Sequence, residues 1–157
     1  MSRQIFFKYS TGPYGWLHNF SLYPIKYNGE MYATSEHLYQ SLKFSDPISK
    51  KFIREASTPK KAAQIGRTLP NVRMDWEEVK VDIMEGVLRY KLAQHYLLEQ
   101  KLLDTGDAEI IEQSAHDSFW GQLPNGQGRN ELGKLWQKIR AELRLREEAS
   151  DRMVNGN

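Results

Sequence analysis

Hydrophobic and polar positions change their period several times along this chain, and each change predicts an element. Gln4 to Tyr9 is rich in β-branched and aromatic residues and runs into Thr-Gly-Pro-Tyr-Gly, the pattern of a first strand closed by a turn. Pro24–Tyr27 and Glu30–Ala33 flank Asn28-Gly29, which predicts a β-hairpin with a two-residue turn. From Ser35 to Phe44 the spacing becomes helical: Leu38 and Leu42 share one face, while Glu36, Gln40 and Lys43 stand at i, i+4 and i+7 on another. Asp46-Pro47 opens a second helix running to about Ala56, and Thr58-Pro59 opens a third that stops at Gly66, a residue suited to the position after a helix end. Asp75 begins the longest helix, in which Trp76, Val79, Ile83, Val87 and Tyr90 form an apolar stripe through to about Leu98. Lys80 lies on the edge of that stripe and Lys91 further along the same line, where a lysine ordinarily snorkels its amine to water. Ala108–Glu112 fits either a strand or a helix. In the last helix Leu132, Leu135, Trp136, Ile139 and Leu143 mark a buried face, and from Glu147 the chain turns polar, the pattern of a frayed tail. These elements are expected to make one domain over residues 1–146, followed by a polar tail over 147–157.

Composition narrows the class. At 157 residues the chain is long enough to bury a substantial core without staples, and having no cysteine it excludes disulfides, thiolate nucleophiles and cysteine-ligated zinc. No apolar run approaches the roughly 18 residues of a membrane span, and Met1-Ser-Arg-Gln leads into structured sequence without a signal-peptide pattern, so a soluble, cytoplasmic protein is expected. A net charge of +2 is far from the basic footprint of a duplex-binding domain and points to a small anion or nucleotide as partner.

Candidate chemistry is limited by what is missing. His18, His37, His95 and His116 are scattered without the spacing of a metal-ligand set, and no nucleophile elbow is present. Neither a metal nor a cofactor is implied. Carboxylates, amides, lysines and aromatic residues remain. Glu36 and Asp117 each adjoin a histidine and lie near aromatic residues, surroundings able to desolvate a carboxyl, although residues of this kind are more often caps or surface acids. Trp16 to Ser21 mixes polar and large apolar groups, as a pocket-lining loop or a core plug would. The glycine-rich run Gln122 to Asn130 matches no nucleotide-binding fingerprint, yet its amides, delivered near a helix capped by Asn130, fit an anion site as well as an ordinary turn.

Five fragments in order carry a resemblance: Tyr14-Gly15 with Asn19-Phe20; Glu36-His37-x-Tyr39-Gln40-x-x-Lys43-Phe44; Arg73-x-Asp75-Trp76; Glu112-x-Ser114-x-x-Asp117-x-x-Trp120-Gly121; and Gly128-x-Asn130-x-x-Gly133. From Phe6 to about Arg144 the chain resembles the NADAR family, whose members cleave N-glycosidic bonds. One branch acts on ribosylamino-pyrimidine phosphates of early riboflavin synthesis, releasing ribose 5-phosphate, and another removes ADP-ribose from guanine bases. The resemblance implies a hydrolase of this kind with a compact α+β fold, mostly helical with a small β-sheet. Its expected partner is a phosphorylated ribosylamine or ADP-ribosyl compound, with nucleic acid entering only as ADP-ribosylated guanine, and a catalytically silent ADP-ribose or nucleotide-binding module is the non-enzymatic alternative. It implies Glu36 as the group that stabilises an oxocarbenium ion or activates water, Asp117 as partner acid, and Lys43 as either an anion contact or an amine that attacks C1 to form a Schiff base. On the matched positions Asn19, Phe20, His37 and Gln40 would orient substrate, and Trp76 and Trp120 would stack on a base. Arg73, Lys80 and the amides of Gly126 to Asn130, that of Gly128 among them, would meet phosphate, and Gly121 would line the substrate. One position departs from the family, which usually carries serine before the Asn-Phe pair: His18 changes the hydrogen bonding open to that loop.

Overall fold

The computed structural model describes residues 3–156. Its order is β1 (Gln4–Phe7), a 3₁₀ turn (Gly15–Leu17), β2 (Ile25–Tyr27), β3 (Glu30–Tyr32), α1 (Ser35–Ser41), α2 (Pro47–Arg54), α3 (Pro59–Thr68), α4 (Trp76–Gln94), α5 (Tyr96–Asp104), β4 (Glu109–Glu112) and α6 (Glu131–Asn155). This is the mostly helical α+β fold expected, with two separate two-stranded sheets in place of one. Among the described residues two compact units are distinguished, one of residues 9–94 and one of residues 3–8 with 95–156. Among the described residues no helix is long and apolar enough to cross a membrane.

In the unit of residues 9–94 the short-range signals act as read. Asn28 and Gly29 take positive φ (49° and 79°) and close the antiparallel β2–β3 hairpin. Thr34, Asp46 and Thr58 cap α1, α2 and α3, each accepting a backbone N–H from the residue three positions on. Phe44, Ile53 and Ala62 form a core between these helices, joined by Ala56, Ile65 and Leu69. Three expectations change. Helix α1 is not amphipathic: Ser35, His37, Leu38, Tyr39, Gln40 and Ser41 are all buried, and Leu42 is half-buried. Gly66 does not end α3, which continues to Thr68. In α4 the buried line is Trp76, Met84, Val87, Leu88, Lys91 and Leu92, while Tyr90 is 45% exposed. That helix has apolar residues on more than one side, so packing rather than periodicity selects the covered face.

In the other unit β1 and β4 pair in parallel, Gln4 opposite Glu109 through Phe7 opposite Glu112, which resolves the ambiguous segment as strand. The predicted face of α6 is buried throughout. A Cβ on Gly133 would sit 2.0 Å from the Ile110 carbonyl oxygen, so this glycine lets α6 lie directly on β4. His95, at φ −134° and ψ 73°, divides the predicted long helix into α4 and α5. The expected frayed tail is helical and exposed as far as Asn155, because α6 simply continues through Glu147.

Candidate active site

Helix α1 gathers the first group of chemically useful side chains. One turn apart, Gln40 Nε2 donates to Glu36 Oε1 at 2.8 Å. A carboxylate only accepts, so the nitrogen end of the amide must face Glu36 and the oxygen end must face away. Gln40 Oε1 is then buried without a hydrogen-bond partner. Just past the helix end Lys43 Nζ donates to the Gly66 carbonyl at 3.0 Å and lies 5.8 Å from the centre of the Trp76 ring, which itself packs on Tyr39 at 5.1 Å. Burial lowers the Lys43 pKa from its ordinary value. Arg67 and Lys80 push it the same way, and Glu36 and Glu77 partly oppose them. The geometry thus yields an amine whose proton is weakened, held beside a carboxylate and an aromatic face.

The loop from Trp16 to Tyr23 supports this helix from its N-terminal side. Asn19 carbonyl oxygen accepts the Glu36 amide at 3.1 Å, tying the loop to the first turn of α1. Asn19 is 7% exposed; its Nδ2 meets Met84 Sδ at 3.4 Å and its Oδ1 is a second buried oxygen without a partner. His18, the departure noted above, accepts the Phe20 amide on Nδ1 at 3.0 Å and sets its ring edge-on to Phe20. Beneath the loop lies Lys91, fully buried rather than snorkelling. Its amine donates to the Trp16 carbonyl at 2.6 Å, Ser21 Oγ at 3.0 Å and the His18 carbonyl at 3.3 Å, and faces the Tyr23 ring. Burial pulls its pKa down to about 7. In this loop Leu17 fills the core, as a core plug would, and Asn19 carries a buried oxygen without a hydrogen-bond partner.

Other singled-out residues are already engaged. His37 Nε2 meets the Ala56 carbonyl at 2.9 Å and Nδ1 meets Thr34 Oγ1 at 2.8 Å; a carbonyl cannot donate, so the proton sits on Nε2 and both nitrogens are used. Arg73 forms a two-pronged pair with Asp75, at 2.6 and 2.9 Å, which raises the arginine pKa and lowers that of the aspartate. Lys80 contacts Glu77 at 2.5 Å.

The unit containing β4 and α6 holds the remaining residues. Asp117 Oδ1 accepts the amides of Phe119 and Trp120, and Ser114 Oγ accepts that of Asp117, a self-contained turn that presents Trp120 against Phe119. Asn130 occupies the first position before α6 but makes no cap; its side chain donates to the Ile110 carbonyl at 2.8 Å and accepts the Glu112 amide at 3.0 Å, clipping β4 to the helix start. Four of the amides expected to bind an anion are spent inside the chain: Gly126 donates to Leu123, Gln127 to Asn125 Oδ1, Arg129 to Ser118 and Asn130 to Gly121. Gly121 and Gly128 permit this packing, since a Cβ on Gly128 would fall 2.6 Å from the Gly121 carbonyl oxygen. Gly66, Arg67, Met84 and Lys91 are the residues at the first group that sequence reasoning left unassigned. The apolar pattern that runs past Gly66 to Leu69, and the fall of Lys91 on the buried line of α4, were the available signals.

A family model described as the NADAR domain matches residues 5–144. The chain is 40% identical over 139 residues to N-glycosidase YbiA of Escherichia coli (strain K12), covering 87% of each chain. It is 35% identical over 144 residues to a riboflavin biosynthesis protein of Vibrio vulnificus (strain YJ016), covering 91% of this chain and 39% of that longer protein. Its fold matches the NMR structure of the E. coli protein YbiA with a TM-score of 0.84 at 37% identity, covering 94% of this chain and 89% of that one.

Proposed function

This chain belongs to the NADAR domain family, and from that premise we propose that it is an N-glycosidase that cleaves ribosylamino-pyrimidine 5-phosphates, releasing ribose 5-phosphate and the free aminopyrimidine. The observation that carries the reading is the half-buried Lys43 amine, its pKa lowered by desolvation, held beside the Glu36–Gln40 pair. Lowering that pKa raises the neutral fraction of the amine, and in its neutral form it can donate one N–H to the Gly66 carbonyl and keep its lone pair for attack. In this mechanism Lys43 nitrogen bonds to C1 of the sugar as the C1–N bond to the pyrimidine breaks. The departing nitrogen takes the proton that Lys43 gives up, passed through Glu36. The C1–O4 bond of the sugar then opens, O4 taking the second proton of the Lys43 nitrogen, which leaves an imine at C1; water adds to that imine, the amine leaves C1, and the sugar departs as its open-chain aldehyde. Glu36 also offsets positive charge growing at C1 in both steps.

Substrate contacts in this reading follow from the groups gathered around Lys43. Asn19 Oδ1 accepts from a sugar hydroxyl. Trp76 offers an aromatic face beside Lys43. Arg67 and Lys80, the cations that act on Lys43, meet the phosphate in this reading, Lys80 exchanging its Glu77 contact for it, while the Arg73 guanidinium stays with Asp75. The name of the Vibrio relative supports riboflavin chemistry as the source of the substrate.

Purified protein incubated separately with the ribosylaminopyrimidine phosphate and with ADP-ribosylated guanosine, followed by mass spectrometry, tests this. Ribose 5-phosphate is expected from the first, and borohydride should trap a ribosyl adduct on the Lys43 peptide. Turnover of the second alone would replace the substrate, and turnover of neither would overturn the activity.

A further inference from the structure

Gly66 lies inside α3, buried, and its φ is not in the left-handed region, so its backbone does not require glycine. A glycine within a helix weakens it relative to alanine. The reason for keeping one is spatial. A Cβ at Gly66 would stand 2.1 Å from Gln40 Oε1, 2.9 Å from its Cδ and 3.2 Å from its Cβ. The last of these sits on the α1 backbone and cannot rotate away, so the amide itself would have to leave. Leaving would break the 2.8 Å bond from Gln40 Nε2 to Glu36. The same glycine's carbonyl accepts the Lys43 amine.

Two unfavourable features therefore meet at one point: a helical glycine and a buried amide oxygen left without a hydrogen bond. Neither serves stability, and departures of this kind concentrate where function sets the geometry. We propose that Gly66 is a positioning residue that fixes Glu36 and Lys43 together, seating the Gln40 amide against Glu36 with its bare α-carbon and holding the Lys43 amine with its carbonyl. As a statement about catalysis this rests on the N-glycosidase reading; as a statement about geometry it does not. Gly86 provides the contrast, a helical glycine in α4 with nothing within 4 Å of an added Cβ.

The test is a double-mutant cycle of Gly66→Ala, Gln40→Ala and the double variant, with Gly86→Ala as control. Three measurements are made: melting temperature, hydrogen exchange of the Gln40 side-chain amide by NMR, and kcat and KM on the ribosylaminopyrimidine phosphate. Gly66→Ala should fold, lose slow exchange at the Gln40 amide, and lower kcat at least tenfold with KM within about twofold. Gln40→Ala should lose kcat similarly. In its background Gly66→Ala should cost no further kcat and should raise the melting temperature, because the obstacle is gone while the helix gain remains. Gly86→Ala should leave exchange and kcat as in the wild type. Wild-type exchange and kcat in Gly66→Ala, or fully additive losses in the double variant, would overturn the proposal. If the wild type turns over no substrate, the enzymatic reading fails, and the exchange and melting measurements still decide the positioning role.

Discussion

Around helix α1, Asn19 Oδ1 and Gln40 Oε1 are buried without a hydrogen-bond partner and burial weakens the Lys43 proton. In the loop from Asp117 to Asn130 polar groups are instead paired within the chain: Asp117 holds two amides, Asn130 clips β4, and the amides of Gly126, Arg129 and Asn130 end on carbonyls of the same loop. Both stretches carry the residue types of a ligand site. The difference lies in where their hydrogen bonds go. A buried polar group left unpaired costs about 1–3 kcal/mol, and a fold keeps that cost where a ligand or a reacting group will use it. A loop whose groups are satisfied internally is holding a shape.

The comparison predicts that the two regions fail differently on substitution. Glu36→Gln should lower kcat by about a thousandfold or more while moving the melting temperature little, since the amide keeps an oxygen for Gln40. It should also shift the Lys43 titration to lower pH, because Glu36 is among the charges that raise that pKa. A kinetic pH profile and a thermal melt check both. In contrast, Asn130→Ala should cost stability, about 2–4 kcal/mol, by leaving the Ile110 carbonyl and the Glu112 amide unpaired, with kcat per folded molecule retained. Urea titration alongside activity separates the two.

Lys91 belongs to the first region by position and to the second by behaviour. Its folded pKa of about 7 lies below the ordinary 10.5, so between those values the unfolded chain binds more protons and this group's contribution makes stability rise with pH. Lys91→Met should remove that slope from a pH series of unfolding curves. It should also weaken the protein by about 1–3 kcal/mol at neutral pH, since the buried Trp16 carbonyl loses its shortest hydrogen bond. The smallest effect expected is that of Asp117→Asn. The new amide retains an oxygen for the Phe119 and Trp120 amides, so kcat within about threefold and an unchanged melting temperature are expected. A hundredfold loss of kcat would restore Asp117 as partner acid and break the comparison.

Much of the framework was legible before folding. Asn28-Gly29 specifies a hairpin because both positions need positive φ, and Thr34, Asp46 and Thr58 specify helix starts because each side chain can reach an amide three residues on. These devices act within four residues, so sequence alone suffices. The clean apolar line of α6 was readable for a related reason: no competing stripe was available to bury. Gly66 was misread because a glycine near the end of a helical pattern looks the same whether it stops the helix or clears space for Gln40. Likewise the glycines and amides of the loop after Asp117 look the same whether they are free or paired.

What the chain determined by itself, then, is local: turn chemistry, caps, the period of each segment, the absence of thiol chemistry, and the set of acids and amines available to a site. Tertiary structure decided which face of α4 is covered, which lysine is half-buried beside Glu36 and which is wholly buried under a loop, and whose hydrogen bonds are left open. The physical reason is that pairing and desolvation depend on neighbours far apart in sequence: Lys91 meets Trp16 across 75 positions, and Lys43 meets Gly66 across 23.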